Sequence, residues 1–236
     1  MTRTVNKPAL VFVPGQLSTA MMWRDVALLL QERADSIIVD QNRAGADTIA
    51  GIAEDVLAQC PSQFVLAAHG MAGFVAFELM RRAPDRITGL ALLGTFAQAD
   101  NPTQTSRRRR YLQSLAEGKF ESIIDERVPV VLHPARLEDP ILAKVVRRMA
   151  LDTGPEVFAR QTRAIMGRED SRSSLKRVTC PTVLIWGRQD GMANEAQQAE
   201  MLATIADARL ETLEDTGHFS PLERPLEVAR AITSLL

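Results

Sequence analysis

The sequence predicts an α/β fold: a mostly parallel central sheet flanked by helices, with a helical insertion in its second half. Three observations predict it. Short apolar runs alternate with segments of helical period along most of the 236 residues, the pattern of strands paired in parallel through helical crossovers. Most of the runs are near-continuously apolar, as strands buried on both faces are. One interval, 98–177, breaks the alternation, with helix-period patterns and no convincing buried strand.

In chain order, the first strand is expected at 9–13 (A-L-V-F-V), ended by Pro14-Gly15. A helix at 23–34, a strand at 36–40 and a helix at 48–59 follow. The run F-V-L-A-A at 64–68 reads as a buried strand entering a tight turn, H-G-M. After that turn, Phe74, Val75, Phe77, Leu79 and Met80 give 71–83 an amphipathic helical period. A strand is expected at 89–93. Inside 98–177, helices are expected at 107–117, 120–131, 141–151 and 156–166, punctuated by Pro102, Pro134, Pro140 and Pro155. A strand at 182–186, a helix at 193–205, a strand at 209–213 and a helix at 225–235 complete the chain. The division that follows is a core of 1–97 and 178–236 and a helical cap of 98–177.

The bulk numbers narrow the function classes. A net charge of −1 supplies no global field for nucleic acid or an anionic membrane. No apolar run reaches about 18 residues, so no transmembrane helix is expected. The opening M-T-R-T-V-N-K-P lacks the apolar core of an export signal. Cys60 and Cys180 each precede a proline and an apolar run. They read as two strand entries rather than a disulfide, and a cytoplasmic location is the expectation. His69, His133 and His218 lie far apart without ligand spacing, so no metal is expected. Phosphate-binding glycine patterns are absent from the strand–helix turns, so no cofactor is expected either. The implied partner is a small-molecule substrate; oligomeric state leaves no trace in the sequence. The interval 98–177 carries 16 basic and 11 acidic residues over an acidic remainder. That excess suits an anionic substrate, a docking surface for the cap, or an ordinary solvated helix face.

Four segments carry chemistry. They are L-V-F-V-P-G at 10–15, F-V-L-A-A-H-G-M-A-G at 64–73, V-L-I-W-G-R-Q-D-G at 183–191 and E-D-T-G-H-F-S-P-L-E-R at 214–224. Singly each is weak: P-G is a strand-ending turn, G-R-Q-D-G an ordinary polar turn, and a lone histidine after a strand is usually structural. Together, in this order and spacing, they resemble the α/β-hydrolases, specifically the capped branch of small bacterial esterases, enol-lactonases and carbon–carbon hydrolases. The resemblance covers nearly the whole chain and implies that family's fold. It also implies acyl transfer by a nucleophile, an acid and a histidine in that chain order.

Carried over residue by residue, the resemblance assigns Gly70 to the nucleophile position, Asp190 to the acid and His218 to the base. The amides of Gln16 and Met71 become the oxyanion donors. Trp23, eight residues after Gly15, matches the family's tryptophan. Pro14 replaces the usual histidine, and Ala68 and Ala72 stand where the nucleophile motif has glycines. His69, beside the nucleophile position, is expected to pack or hydrogen-bond, and His133 to lie at the surface. Asp215 competes with Asp190 as partner of the histidine, with a turn-forming role favoured for it. Ser18, Thr19, Thr95 and Ser220 could approach the pocket, but none stands at the elbow. The family's usual N-terminal hairpin is expected to be short or absent. The low aromatic content, 5%, suggests an apolar pocket without an aromatic cage.

Gly70 departs from the family, whose elbow carries serine. Glycine enters the left-handed turn without the Cβ penalty, so the backbone should survive while serine catalysis does not. Three readings follow. In the first, the glycine replaces a serine by design in an otherwise intact ester or lactone hydrolase. Alternatively, His218 and Asp190 could serve a natural serine-independent enzyme for elimination, isomerisation or ring cleavage. Or the fold could be a non-catalytic ligand-binding protein or sensor.

Overall fold

The computed structural model describes residues 7–43 and 45–236. Its centre is one six-stranded sheet of β1 (Ala9–Val13), β2 (Asp35–Ile38), β3 (Phe64–His69), β4 (Ile87–Leu93), β5 (Thr182–Gly187) and β6 (Ala208–Leu213). The order is β2-β1-β3-β4-β5-β6 and every pairing is parallel. β1, β3, β4 and β5 are buried almost throughout, as their continuous apolar runs predict. The edge strands β2 and β6 are exposed or half-buried.

Successive strand residues point to opposite faces, so one run supplies two cores. Val11, Val13, Leu66, Ala68, Leu90 and Leu92 face one layer, which includes α2 (Ile49–Gln59), α3 (Met71–Arg82) and α7 (Glu195–Thr204). Leu10, Phe12, Val65, Ala67, Val183 and Ile185 face the other, which includes α1 (Arg24–Leu30) and α9 (Pro225–Thr233). Trp23 is fully buried there and packs on Phe12 at 4.8 Å between ring centroids.

Strand order reverses at β1 and β3, which neighbour each other and send their connections in opposite directions. Crevices outside the carboxyl ends of such strands are where open α/β sheets bind ligands. Here Val13 pairs with Ala68, and His69 with Leu93, so these ends are level. The turns after β1, β3, β4 and β5 therefore converge.

Between β4 and β5 the chain leaves the sheet. It forms α4 (Pro102–Ala116), α5 (Phe120–Val131) and α6 (Pro140–Met166) before returning. Asn101 caps α4 in a reciprocal box with Gln104. α4 therefore begins five residues before the expected 107. The two helices expected at 141–151 and 156–166 run together as α6, kinked where Gly154 leaves helical geometry and Pro155 lacks an N–H. The helix expected at 23–34 is shorter. A 3₁₀ turn at Ala20–Met22 precedes α1, which stops at Leu30 because Asp35 must already pair with Ala9.

One carboxylate ties the two ends of this excursion together. Asp100 lies 2.7 Å from Arg108 and 2.6 Å from Arg168, all three side chains 5% exposed or less. Arg168 also donates to the Gln98 carbonyl at 2.8 Å and stacks over Phe74. Cys60 and Cys180 are free, and burial pushes the Cys60 thiol up to about 11. Among the described residues no helix is long and apolar enough to cross a membrane. Residues 1–6, on which the expectations about export and about an N-terminal hairpin partly rest, lie outside the described residues.

Removing one member of a buried ion cluster strands the others without a counter-charge. Asp100→Asn should cost about 3–5 kcal/mol, measured as a lower urea midpoint at unchanged slope; a loss below about 1 kcal/mol would mean the cluster is solvent-screened.

Candidate active site

Residue 70 follows β3 and precedes α3, and the chain turns there at φ 54°, ψ −114°. That conformation lies outside the regions open to most side chains. The Gly70 amide still continues the sheet, donating to the Leu93 carbonyl at 2.8 Å. A Cβ built at residue 70 would lie 3.1 Å from His218 Nε2 and 3.5 Å from Cε1. The turn thus points the missing side chain at one ring nitrogen.

The other nitrogen is held. His218 Nδ1 lies 2.9 Å from Asp190 Oδ2, with the Asp190 side chain fully buried. Asp190 Oδ1 accepts from the amides of Met192 (2.7 Å) and Ala193 (3.0 Å), so neither oxygen is free to turn. Gly94 leaves room for the pair: a Cβ there would fall 2.9 Å from His218 Nδ1 and 3.0 Å from Asp190 Oδ2. Asp215 sits apart. It takes φ 50°, its side chain is 76% exposed, and its charged neighbour is Arg224 at 4.0 Å.

The histidine loop is anchored from both sides. Phe219 donates to the Val131 carbonyl at 3.1 Å. The buried Glu223 carboxylate accepts from Gly217 N at 3.2 Å and from His133 N at 3.0 Å, linking this loop to the end of α5. Burial pushes the Glu223 carboxyl above its ordinary range, while those two amides oppose the rise. His133, expected at the surface, is half-buried, and its Nδ1 accepts from Ala135 N to cap a short turn.

His69 is fully buried beneath His218, with ring centroids 4.6 Å apart. Burial, with the neighbouring His218 adding to it, holds its imidazole well below the ordinary histidine value. It is therefore neutral, and its Nε2–H donates to the His218 carbonyl at 2.9 Å. The packing and hydrogen-bonding role expected of His69 is what its contacts describe.

Gln16 and Met71 both line the cavity in front of His218. Neither amide is committed to a protein acceptor among the described residues. The Gln16 segment is fixed from outside: its side chain donates to Thr162 Oγ1 at 3.1 Å, and Gln41 donates to the Gly15 carbonyl at 3.0 Å. Ser18, Thr19, Thr95 and Ser220 do not line this cavity. The Ser18 hydroxyl turns back to the Gln16 carbonyl, and Thr19 caps the 3₁₀ turn. The cleft is narrow: its enclosed space is about 40 Å³, and it opens to solvent. Phe74, Phe96, Ile165 and Phe219 make part of its wall apolar. Phe74 and Phe96 pack edge-to-face at 5.3 Å, so aromatic rings contribute more than composition suggested.

The wall also contains Arg107, Arg108 and Arg127 from α4 and α5. The sequence marks these only as part of a basic interval; helical phase decides which of them turn inward. Arg109 and Arg110 stay exposed. The described residues hold no cluster of metal-ligating groups.

A model of the alpha/beta hydrolase family matches residues 10–231. The chain is 25% identical to the uncharacterized hydrolase YugF of Bacillus subtilis strain 168, with 98% of this chain and 90% of that protein covered. A thermophilic esterase from Thermogutta terrifontis superposes with a TM-score of 0.86 at 25% identity, covering 97% of this chain and 88% of that one. The enol-lactonase of Burkholderia xenovorans LB400 superposes with a TM-score of 0.89 at 23% identity, covering 99% and 92%.

The depressed His69 makes stability pH-dependent. Below pH 6.5 the unfolded chain takes up a proton that native His69 refuses. Native stability is therefore lost as pH falls through that value, by up to about 1.4 kcal/mol per pH unit. His69→Gln should flatten this slope between about pH 6.5 and 5.5 in denaturation curves; an unchanged slope would mean that His69 is protonated in the fold.

Proposed function

The chain belongs to the alpha/beta hydrolase family, and on that premise we propose that its cleft binds a carboxylic ester or lactone. The reading assigns the cleft to Ser-His-Asp-type acyl transfer with the nucleophile position empty of a side chain. The observation that carries it is the 3.1 Å approach of a residue-70 Cβ to His218 Nε2 while Asp190 holds Nδ1.

In this reading residues 98–177 act as a cap over a core of 1–97 and 178–236. With serine at residue 70, its hydroxyl would attack the carbonyl carbon and pass its proton to His218 Nε2. Asp190 orients the ring and stabilises the imidazolium. The amides of Gln16 and Met71 take the negative charge of the tetrahedral oxygen. His218 then returns the proton to the departing alkoxide, and water repeats the sequence on the acyl group. The chain with Gly70 lacks the first bond-forming step and retains the binding site, the base and the oxyanion donors.

The intact His218–Asp190 pair also supports a second reading. The base could take a proton from the substrate itself, with no covalent intermediate. A non-catalytic binding protein would keep the cleft without either chemistry. These readings separate on turnover by the Gly70 chain.

Gly70→Ser should hydrolyse 4-nitrophenyl esters or simple lactones at least about 10⁴-fold faster than the Gly70 chain. His218→Ala in that background should abolish the gain. The added side chain should also cost about 1–3 kcal/mol of stability. A folded Gly70→Ser chain with no hydrolysis would sink the reading, and efficient turnover by the Gly70 chain that is lost in His218→Ala would favour the second.

A further inference from the structure

The cavity in front of His218 is lined by three arginines and by no aspartate or glutamate. Arg108 is already paired, sharing the Asp100 carboxylate with Arg168. Glu126, the acidic neighbour on α5, is taken by Arg110 at 2.6 Å and by the Tyr111 hydroxyl at 3.0 Å. Among the described residues no carboxylate lies within ion-pair distance of Arg107 or Arg127. Both are half-buried.

Arg127 is the more confined. Its guanidinium carbon lies 6.0 Å from the Tyr111 ring centroid and 5.9 Å from that of Phe158, a cation–π position that fixes the group without neutralising it. Burial pushes it down to about 10, with Arg108 and Arg107 lowering it further and Tyr111 opposing them. It stays protonated at neutral pH. Arg127 also lines a second recess, apolar but for Gln16, with Ile124, Val128, Val131 and Val146. Gln16 and Phe219 border both spaces, so the charge stands where the reaction centre meets the apolar recess.

The Tyr111 hydroxyl is a neutral neighbour of Arg127, and a partly desolvated cation without a counter-charge is costly. Two of them, side by side and repelling each other, mark a place where an anion restores the balance. We propose that Arg107 and Arg127 hold an anionic group, a carboxylate or a phosphate, on the molecule that occupies this cleft. Resting on the hydrolase reading above, the substrate is then an ester or lactone that carries a separate negative charge. Its acyl or alkoxy part spans from the Gly70–His218 gap to the arginine pair. The planar fork of each guanidinium suits both oxyanions, and Gln104, on the same wall, supplies a neutral amide beside them.

The test uses the Gly70 chain and calorimetry, so it needs no turnover. Monomethyl glutarate and monobutyl phosphate are the anionic probes, and dimethyl glutarate is the neutral one. At low salt at least one anionic probe should bind about 10-fold or more tightly than the neutral diester, and the gap should shrink as salt rises. The better of the two identifies the group. Arg127→Gln and, separately, Arg107→Gln should weaken the anionic probe by about 10- to 100-fold. Arg109→Gln, on the exposed face of the same helix as Arg107, removes one charge and should leave binding unchanged. Equal binding of charged and neutral probes would overturn the proposal, as would folded Arg107 and Arg127 variants that bind the anion normally. An inactive Gly70→Ser chain that still distinguishes the probes would remove the hydrolase reading and leave the anion site standing.

Discussion

The site depends on one backbone turn. At residue 70 the chain leaves β3 and enters α3 with φ 54° and ψ −114°, and that reversal aims position 70 across a gap to His218 Nε2. Everything opposite must meet it there. Parallel pairing brings the ends of β1, β3, β4 and β5 level, so four connecting turns share one small volume. Gly94 keeps that volume open where a methyl group would strike both His218 and Asp190. Beneath them, a neutral His69 ties the His218 backbone to β3. The cost of a left-handed turn for any side chain is offset by the sheet and helix that fix it, which is how strained residues persist at functional sites.

Much of this was legible in the sequence. Every strand was foreseen within two residues of its observed start, because continuous apolar runs such as F-V-L-A-A have few alternatives to a buried parallel strand. The four motif segments meet in space in the way their order implies: Gly70, Asp190 and His218 converge, and Gln16 and Met71 line the same cavity. The helix expected to reach residue 34 failed because a local period does not register the pairing demand of β2. α4 starts earlier than expected because the reciprocal Asn101–Gln104 box fixes its first turn, while the apolar period that marks a helix begins only near residue 107. Gly94 could not be found from sequence, since its role is an empty space between two side chains from other segments. Glu223 falls inside the histidine motif, yet its two backbone partners appear only once α5 and the histidine loop are brought together.

Charge divides the 98–177 excursion into three populations. Some arginines meet carboxylates at the surface, as Arg110 does with Glu126 and Arg147 with Glu121; such pairs add little stability. Arg108 and Arg168 are buried on Asp100 and close the excursion onto the sheet. Arg107 and Arg127 face the cavity with no carboxylate to match them. The surface pairs add no net charge to this interval; Arg107 and Arg127 are the part of its basic excess that faces the cleft without a carboxylate. The same helices thus anchor the excursion and colour the pocket, joining packing to specificity in one element.

The central claim is that residue 70 stands in attacking position before a base that is already oriented. Covalent labelling tests it without any assumption about the natural substrate. A fluorophosphonate reacts when a serine oxygen bonds to phosphorus, fluoride departs and the proton passes to the neighbouring histidine. Intact-mass and peptide measurements on Gly70→Ser should locate a single phosphonyl adduct at residue 70. That adduct should be absent from the Gly70 chain and from Gly70→Ser combined with His218→Ala. A folded Gly70→Ser chain that stays unlabelled, or one that labels equally without His218, would contradict the account.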